Sequence, residues 1–183
     1  MNGALDADQV RNLIDYDQIT GYFFWKPRHA DMFEDGGHSA RHNCAAWNAR
    51  YAGTIAGTPD TRGYLAIRIF GRLYLSHRLA WLIVTGEWPV AEIDHINCNP
   101  SDNRFANLRQ STPSQNGANR RLRINSSSGF KGVSWISRDR KWQAKIGIMG
   151  KTLNLGYFDS AEDAAAAYQA AAREYFGSFA RVA

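Results

Sequence analysis

A polar run, Arg123-Ile-Asn-Ser-Ser-Ser-Gly129, interrupts the sequence about two thirds of the way along and limits what the chain can fold into. Serine and glycine without apolar periodicity read as a linker. A chain of 183 residues broken there can build two modest cores, and one large catalytic barrel is excluded. The expected organisation is an N-terminal helix and hairpin region at 1–60, a core at 61–122, the linker at 123–129 and a separate module at 130–183. No window approaches the roughly 18 apolar residues that a membrane span needs. The acidic, polar start MNGALDADQVRNL lacks the basic flank and apolar run of a secretory signal, so intracellular, cytoplasmic residence is expected, without a membrane partner.

Charge is distributed unevenly on the two sides of that break. Residues 1–60 carry eight acids against five bases, whereas residues 118–151 carry nine bases and the single acid Asp139. Such a block is the electrostatic footprint of a polyanion-binding surface, although a solvated basic face reads the same way from charge alone. Cys44 and Cys98 do not form the paired spacing of a structural zinc site, so no structural zinc is expected; both read as buried free thiols, with a disulfide as the alternative, although nothing points to an oxidising compartment.

Periodicity predicts the elements. Asp6 to Ile14 reads as a short helix, and Tyr16 to Trp25 as a hairpin turning at Thr20-Gly21. Residues 27–60 show no clear period and are assigned to loop. Gly63–Ile69 alternates like a half-buried strand that turns at Gly71 into a second strand. HRLAWLIVT, residues 77–85, has helical spacing and ends at Gly86. A short strand over 91–95 leads into the Asn-, Asp- and Ser-rich stretch NCNPSDNRFAN, which must be a loop. Thr112-Pro113 is a helix start that should run to about Arg121. Beyond the linker, FKGVSW, KWQAKIGI and KTLNLGYF predict three antiparallel strands. A capped helix follows from Ser160 to about Phe176, with Ala164, Tyr168, Ala171 and Tyr175 on the face toward the sheet. Trp81, Trp88 and Trp142 read as core residues. The fold class is therefore α+β.

Residues 93–120, IDHINCNPSDNRFANLRQSTPSQNGANR, carry the chemistry. Asp94 and His95 are adjacent at a strand end, and Asn116 lies 22 residues further on, on the helix after the loop. An oxygen-rich Asp/Asn pair suits a hard divalent ion that keeps most of its positions for water and phosphate. His95 points to the other side of the strand, where it can act as a base. His77, at a helix start, can cap the helix or touch a phosphate. An Asp-His pair alone is more often a structural hydrogen bond, so it is the ordered set Asp94, His95, Asn107 and Asn116 that points to a catalytic site.

This segment resembles the HNH (His-Asn-His) endonucleases, in particular the phage-type branch in which the last histidine is asparagine. The resemblance is carried by HRLAW at 77–81, GEWP at 86–89, IDHI at 93–96, NLR at 107–109 and SQN at 114–116. It implies a ββα-metal nuclease fold preceded by hairpins, with Asp94 and Asn116 as metal ligands and His95 as general base. Asn107 would be the central asparagine that holds the loop and orients the base. It also implies Mg²⁺, with Mn²⁺ as a substitute, and duplex DNA rather than a small molecule as substrate. Cleavage would leave 5′-phosphate and 3′-hydroxyl ends, in nicking or homing roles. A phage-encoded copy would work in the host cytoplasm. One centre per chain suits a monomer or weak dimer that cuts one strand at a time, and the alternative is a DNA-binding regulator whose nuclease fold is silent.

The C-terminal stretch resembles the AP-two/ERF-type (ethylene-response-factor) DNA-binding domain. The match lies in Gly132-Val133, Trp142-x-Ala144-x-Ile146, Leu155-Gly156-x-Phe158, Ala161-Glu162-x-Ala164 and Gly177. The resemblance implies a three-stranded sheet that enters the major groove and one helix packed behind it. Candidate DNA contacts are His77, Arg120, Arg121, Arg123, Lys131, Trp135, Arg138, Arg140, Lys145 and Lys151. Ser134, Gly147 and Asn154 replace the arginine or tryptophan readers of the plant domains, so sequence preference does not transfer.

Overall fold

The fold is seen in a computed structural model that describes residues 5–122 and 126–181. Within it, Met1–Arg109 and Gln110–Ala183 form two compact units. In the first, Asp6 caps helix α1 (Ala7–Leu13) through a capping box with Gln9, which satisfies two otherwise unpaired amides. Strand β1 (Ile14–Tyr16) follows without a loop and pairs antiparallel with β2 (Phe23–Trp25). Gly21, at φ +78, allows the intervening turn to lie directly on the backbone of Asn103 and Arg104, where a Cβ would come within 2.5 Å of the Arg104 nitrogen.

Residues 27–60, assigned to loop from sequence, contain helix α2 (Ala40–Tyr51). Ser39 caps it by accepting from the His42 amide. Cys44 is its only buried residue, so the helix shows no apolar stripe that a periodicity argument could detect. Strand β3 (Thr58–Pro59) then pairs with β4 (Leu65–Ile69), and β4 with β5 (Arg72–Leu75) across a two-residue turn at Phe70-Gly71. Ile67 and Ile69 point inward from β4, and Leu79, Ala80 and Leu82 meet them from helix α3 (Ser76–Thr85). Each large side chain so buried contributes about 1.5–3 kcal/mol. Gly86, left-handed at φ 84, ends α3 as expected. Val10, Leu13, Ile14, Phe23, Ile93 and Leu108 complete one core, with Trp81 and Trp88 packed against it. Residues 1–60 and 61–109 thus share a hydrophobic centre.

Strand β6 (Glu92–His95) pairs with β7 (Leu108–Ser111). Helix α4 (Pro113–Asn119) comes next in the chain, capped reciprocally by Thr112 and Gln115. The division into units falls between Arg109 and Gln110 rather than at the polar run 123–129. The physical reason is α4: Ala118 is buried with Ile146, Tyr168 and Phe176 in the core of the second unit.

In that unit β8 (Val133–Ile136), β9 (Lys141–Ile148) and β10 (Lys151–Phe158) form an antiparallel sheet with β9 in the centre. Helix α5 (Ala161–Phe176), capped by Ser160, packs on it. Ala164, Ala165, Ala171 and Ala172 are buried and allow close approach. The expected inner face needs one correction. Tyr175 is 47% exposed, and Phe176, one residue on, takes the inward place. Among the described residues no helix is long and apolar enough to cross a membrane.

Candidate active site

Asp94 and His95 end strand β6, and both are buried. The Arg109 Nε and Nη2 atoms each lie 2.9 Å from Asp94 Oδ2, so the guanidinium forms a largely buried ion pair with the carboxylate. Charge-assisted pairs of this kind fix a side chain's orientation. Sequence reading included Arg109 only as part of the NLR signal; its contact with Asp94 depends on strand pairing that spacing alone does not show.

His95 lies with Nε2 3.4 Å from Asn103 Oδ1. An amide oxygen only accepts, so this contact places the imidazole proton on Nε2 and the lone pair on Nδ1. Asn103 is 1% exposed. Its carbonyl accepts from the Tyr16 hydroxyl at 2.6 Å, and the Gly21 turn lies against its backbone. The N-terminal hairpin therefore holds the residue that holds His95. Asn103 was not singled out from sequence, because it sits among several asparagines in a turn-rich stretch and nothing local marks it. Burial pulls the His95 pKa down, while the Asn103 contact and the charges of Asp94 and Asp102 oppose that shift.

Asn107 braces the loop between β6 and β7. Its amide donates to Asn97 Oδ1 and the Asp102 carbonyl, and its side-chain oxygen accepts from the Asn97 amide. Asp102 is held well below the usual carboxylate range, at about 2, chiefly by its hydrogen bond from Arg104. The loop is thus cross-linked by polar groups instead of an apolar core.

His77 is brought next to His95, with ring centroids 5.1 Å apart and nearly perpendicular, and Tyr64 adjoins both. It is 5% exposed, and its Nδ1 has no hydrogen-bond partner among the described residues. Burial, followed by the neighbouring His95 and Arg78, pushes its pKa down to about 3. This setting makes His77 a neutral packing residue beneath the site; it is not an exposed phosphate contact. A histidine that stays neutral when folded but takes a proton near 6.5 when unfolded leaves stability intact above that pH. Stability is then lost progressively as pH falls toward about 3. In urea denaturation between pH 6 and pH 4, the parent should lose stability more steeply than His77→Phe. The difference should approach one proton, or about 1.4 kcal/mol per pH unit. Parallel slopes would contradict the neutral, buried assignment.

Asn116 lies on α4 in the second unit, half-buried. That helix is held within its own unit: Ser114 Oγ accepts from the Met149 amide at 3.2 Å, and Lys131 Nζ donates to the carbonyls of Ala118 and Arg120. Lys131, expected among the DNA contacts, thus closes the C-terminus of α4, where a cation is favourable. Of the other candidates, Arg138 pairs with Asp139. Arg120, Arg121, Arg140, Lys145 and Lys151 are exposed, as is Trp135, whose ring meets Trp142 edge-on. Arg123 lies outside the described residues. Lys145 and Asn154 face each other across β9 and β10, beside Gln143, whose amide donates to Asn154 Oδ1 and the Tyr157 hydroxyl. Gln143 and Tyr157 were not identified as candidates from sequence; the place of Gln143 between Ser134 and Tyr157, on the sheet face away from α5, emerges only from the register.

The Asp94 carboxylate, buried at the end of β6, is a donor of the type that suits a hard divalent ion. Among the described residues, no group of three or more His, Cys, Asp and Glu side chains is placed to hold a metal. A site built on one carboxylate and one asparagine would not form such a group.

A family model described as HNH endonuclease matches residues 74–118, which run from within β5 through α3, β6 and β7 into α4. Protein 3.8 of Escherichia phage T7 is 34% identical over 106 residues, covering 57% of this chain and 87% of the phage protein. An uncharacterized HNH endonuclease of Acanthamoeba polyphaga mimivirus is 34% identical over 119 residues, covering 64% of this chain and 61% of the mimivirus protein. No solved structure matches. Residues 74–118, which carry the Asp94-His95 pair and the asparagine-braced loop, are thus an HNH endonuclease domain by their match to that family, in a chain similar to phage and viral proteins.

Proposed function

We propose that this protein is a divalent-metal-dependent endonuclease that hydrolyses phosphodiester bonds of duplex DNA, leaving 5′-phosphate and 3′-hydroxyl ends. The observation that carries the reading is His95, buried beside Asp94 with its Nε2 proton directed at Asn103, within the stretch matched by the HNH endonuclease model. Its Nδ1 lone pair takes the proton from a water molecule as that water attacks phosphorus. Asn103 keeps the ring in the tautomer that allows this, Asn107 keeps the loop in shape, and Tyr64 and His77 exclude solvent from the far side.

Asp94 and Asn116 would hold the ion, Mg²⁺ by preference and Mn²⁺ as a substitute. Once bound, it supplies charge stabilisation for the phosphate and the departing 3′ oxygen. Arg109 keeps the Asp94 carboxylate oriented. The C-terminal sheet, similar in sequence to the AP-two/ERF-type domain, would lie in the major groove through the face that carries Gln143, Lys145, Asn154 and Tyr157. Arg140 and Lys151 would lie near phosphates. A single centre per chain would nick one strand, and a homing role suits this combination of cutter and reader.

The ion pair of Arg109 with Asp94 favours one other reading, a DNA-binding regulator in which arginine permanently occupies the metal ligand. Supercoiled plasmid separates the two. The nuclease reading expects nicked circles with Mg²⁺ or Mn²⁺ and none with chelator, and the nicks should be sealed by DNA ligase without prior end repair. Intact supercoils under both ions would leave only the regulator.

A further inference from the structure

The HNH segment and the C-terminal sheet do not use a third feature of the molecule, a cleft of about 500 Å³ between α2 and the tip of the β4–β5 hairpin. Its walls are Trp25, Arg28, Trp47, Tyr51, Arg68 and Phe70. The Arg28 guanidinium carbon lies 3.9 Å from the centroid of the Trp47 ring and 5.4 Å from that of Trp25. Its Nε is buried without a hydrogen-bond partner among the described residues. An arginine stacked in this way, with no ion pair to a carboxylate among the described residues, is a cation prepared for an anion that has a flat body.

Two further observations point the same way. Between Gly36 and Gly86 the sequence holds one acid, Asp60, against six arginines, and Arg62 pairs with that acid. The stretch that carries α2 and the β4–β5 hairpin is therefore basic, although Asp31, Glu34 and Asp35 lie just before it and residues 1–60 as a whole are mildly acidic. At the hairpin tip, Phe70 has φ +47 and Gly71 φ +76, a two-residue turn with both central residues left-handed. Such turns favour Asn-Gly. Phenylalanine pays a steric penalty there, yet its ring is 60% exposed at the cleft. A strained backbone that presents an aromatic ring to solvent points to a role outside the fold.

We propose that this cleft is a second DNA contact. It takes the base of one unpaired nucleotide against Trp47, Tyr51 and Phe70, with the attached phosphate on Arg28 and Arg68. Base stacking on aromatic rings tolerates any sequence, and arginine adds both charge and a stacking plane. Such a contact would grip a nucleotide displaced from the duplex. The proposal rests on the reading above only in its choice of DNA as ligand.

The test is binding by the full chain, in chelator so that no cleavage occurs, to a labelled duplex with one unpaired 5-bromodeoxyuridine and to the fully paired duplex. The parent should prefer the bulged DNA, and irradiation should crosslink it to the peptide containing Trp47 and Tyr51 or to that containing Phe70. Phe70→Asn and Arg28→Gln should each lower affinity for the bulged DNA by roughly five- to hundredfold and leave that for the paired DNA unchanged. Phe70→Asn should also keep or raise the melting temperature, since asparagine suits the turn, so lost binding cannot be attributed to unfolding. No preference for the bulge, a preference that survives both substitutions, crosslinks confined to residues 110–181, or a stronger preference for bulged RNA would each overturn the proposal. A protein that binds the bulge through this cleft but never nicks plasmid would retain this site and lose the nuclease reading.

Discussion

His95→Ala is expected to abolish plasmid nicking while leaving DNA affinity within about twofold of the parent. General-base catalysis contributes roughly 10²–10⁴-fold, and a buried imidazole has no neighbour ready to replace it: the adjoining His77 has its pKa near 3 and a perpendicular ring. Binding should persist because His95 is 5% exposed and offers DNA almost no surface. The two measurements together are decisive. A variant that loses both functions equally would indicate a collapsed site rather than a missing base, and Asn103→Ala would then show the same pattern. If His95→Ala nicks at the parental rate, another group is the base. Single-turnover rates at saturating protein, beside a filter-binding titration, distinguish these outcomes.

The largest expected effect on stability is at Gly132. A Cβ there would lie 2.2 Å from the Tyr168 ring and 2.6 Å from the Lys145 carbonyl oxygen, and the residue sits at φ +71. Tyr168 is buried in the core of the second unit, and Lys145 is fixed by the hydrogen bond that its backbone N–H donates to the Gly132 carbonyl, so neither neighbour can move without disrupting sheet or core. Overpacking costs about 1–3 kcal/mol and a left-handed non-glycine about 1–2 more. Gly132→Ala should therefore unfold the second unit or lower its melting temperature by ten degrees or so. Gly150→Ala provides the control. Its φ is +76 but nothing lies within 4 Å of the added carbon, so only the conformational cost of about 1–2 kcal/mol applies. Equal losses at the two positions, by thermal melting followed by circular dichroism, would contradict the close approach at Gly132. Because α4 belongs to the same unit, Gly132→Ala should also remove nicking.

These expectations depend on features that were unequally legible in the sequence. Asp94 and His95 could be read as a pair because they are adjacent, end an apolar strand and precede a stretch too polar to be anything but loop. Helix α3 and helix α5 could be read because each buries one face and shows the matching period, although the face of α5 was misplaced by one residue, from Phe176 to Tyr175. Helix α2 could not: with only Cys44 buried, there is no stripe to count. Asn103 and Arg109 were missed as partners of His95 and Asp94 for another reason. Their roles come from strand pairing and from a hairpin some eighty residues earlier, and long-range contacts leave no trace in local spacing. Lys131 shows the converse. It looked like one base among nine, and only packing shows that its ammonium serves the carbonyls at the end of α4.

The proposal that Asp94 and Asn116 hold one divalent ion is tested most directly by substituting Fe²⁺ for Mg²⁺ and generating hydroxyl radicals from it, which cut the peptide backbone within a few ångströms of a bound metal. Mass spectrometry of the fragments should show two clusters of cuts, one around residues 94–95 and one around residue 116, both suppressed by excess Mg²⁺ and both lost in Asp94→Ala. Cuts near only one of the two residues, or a pattern unchanged by Asp94→Ala, would contradict the shared site and the metal-dependent mechanism built on it.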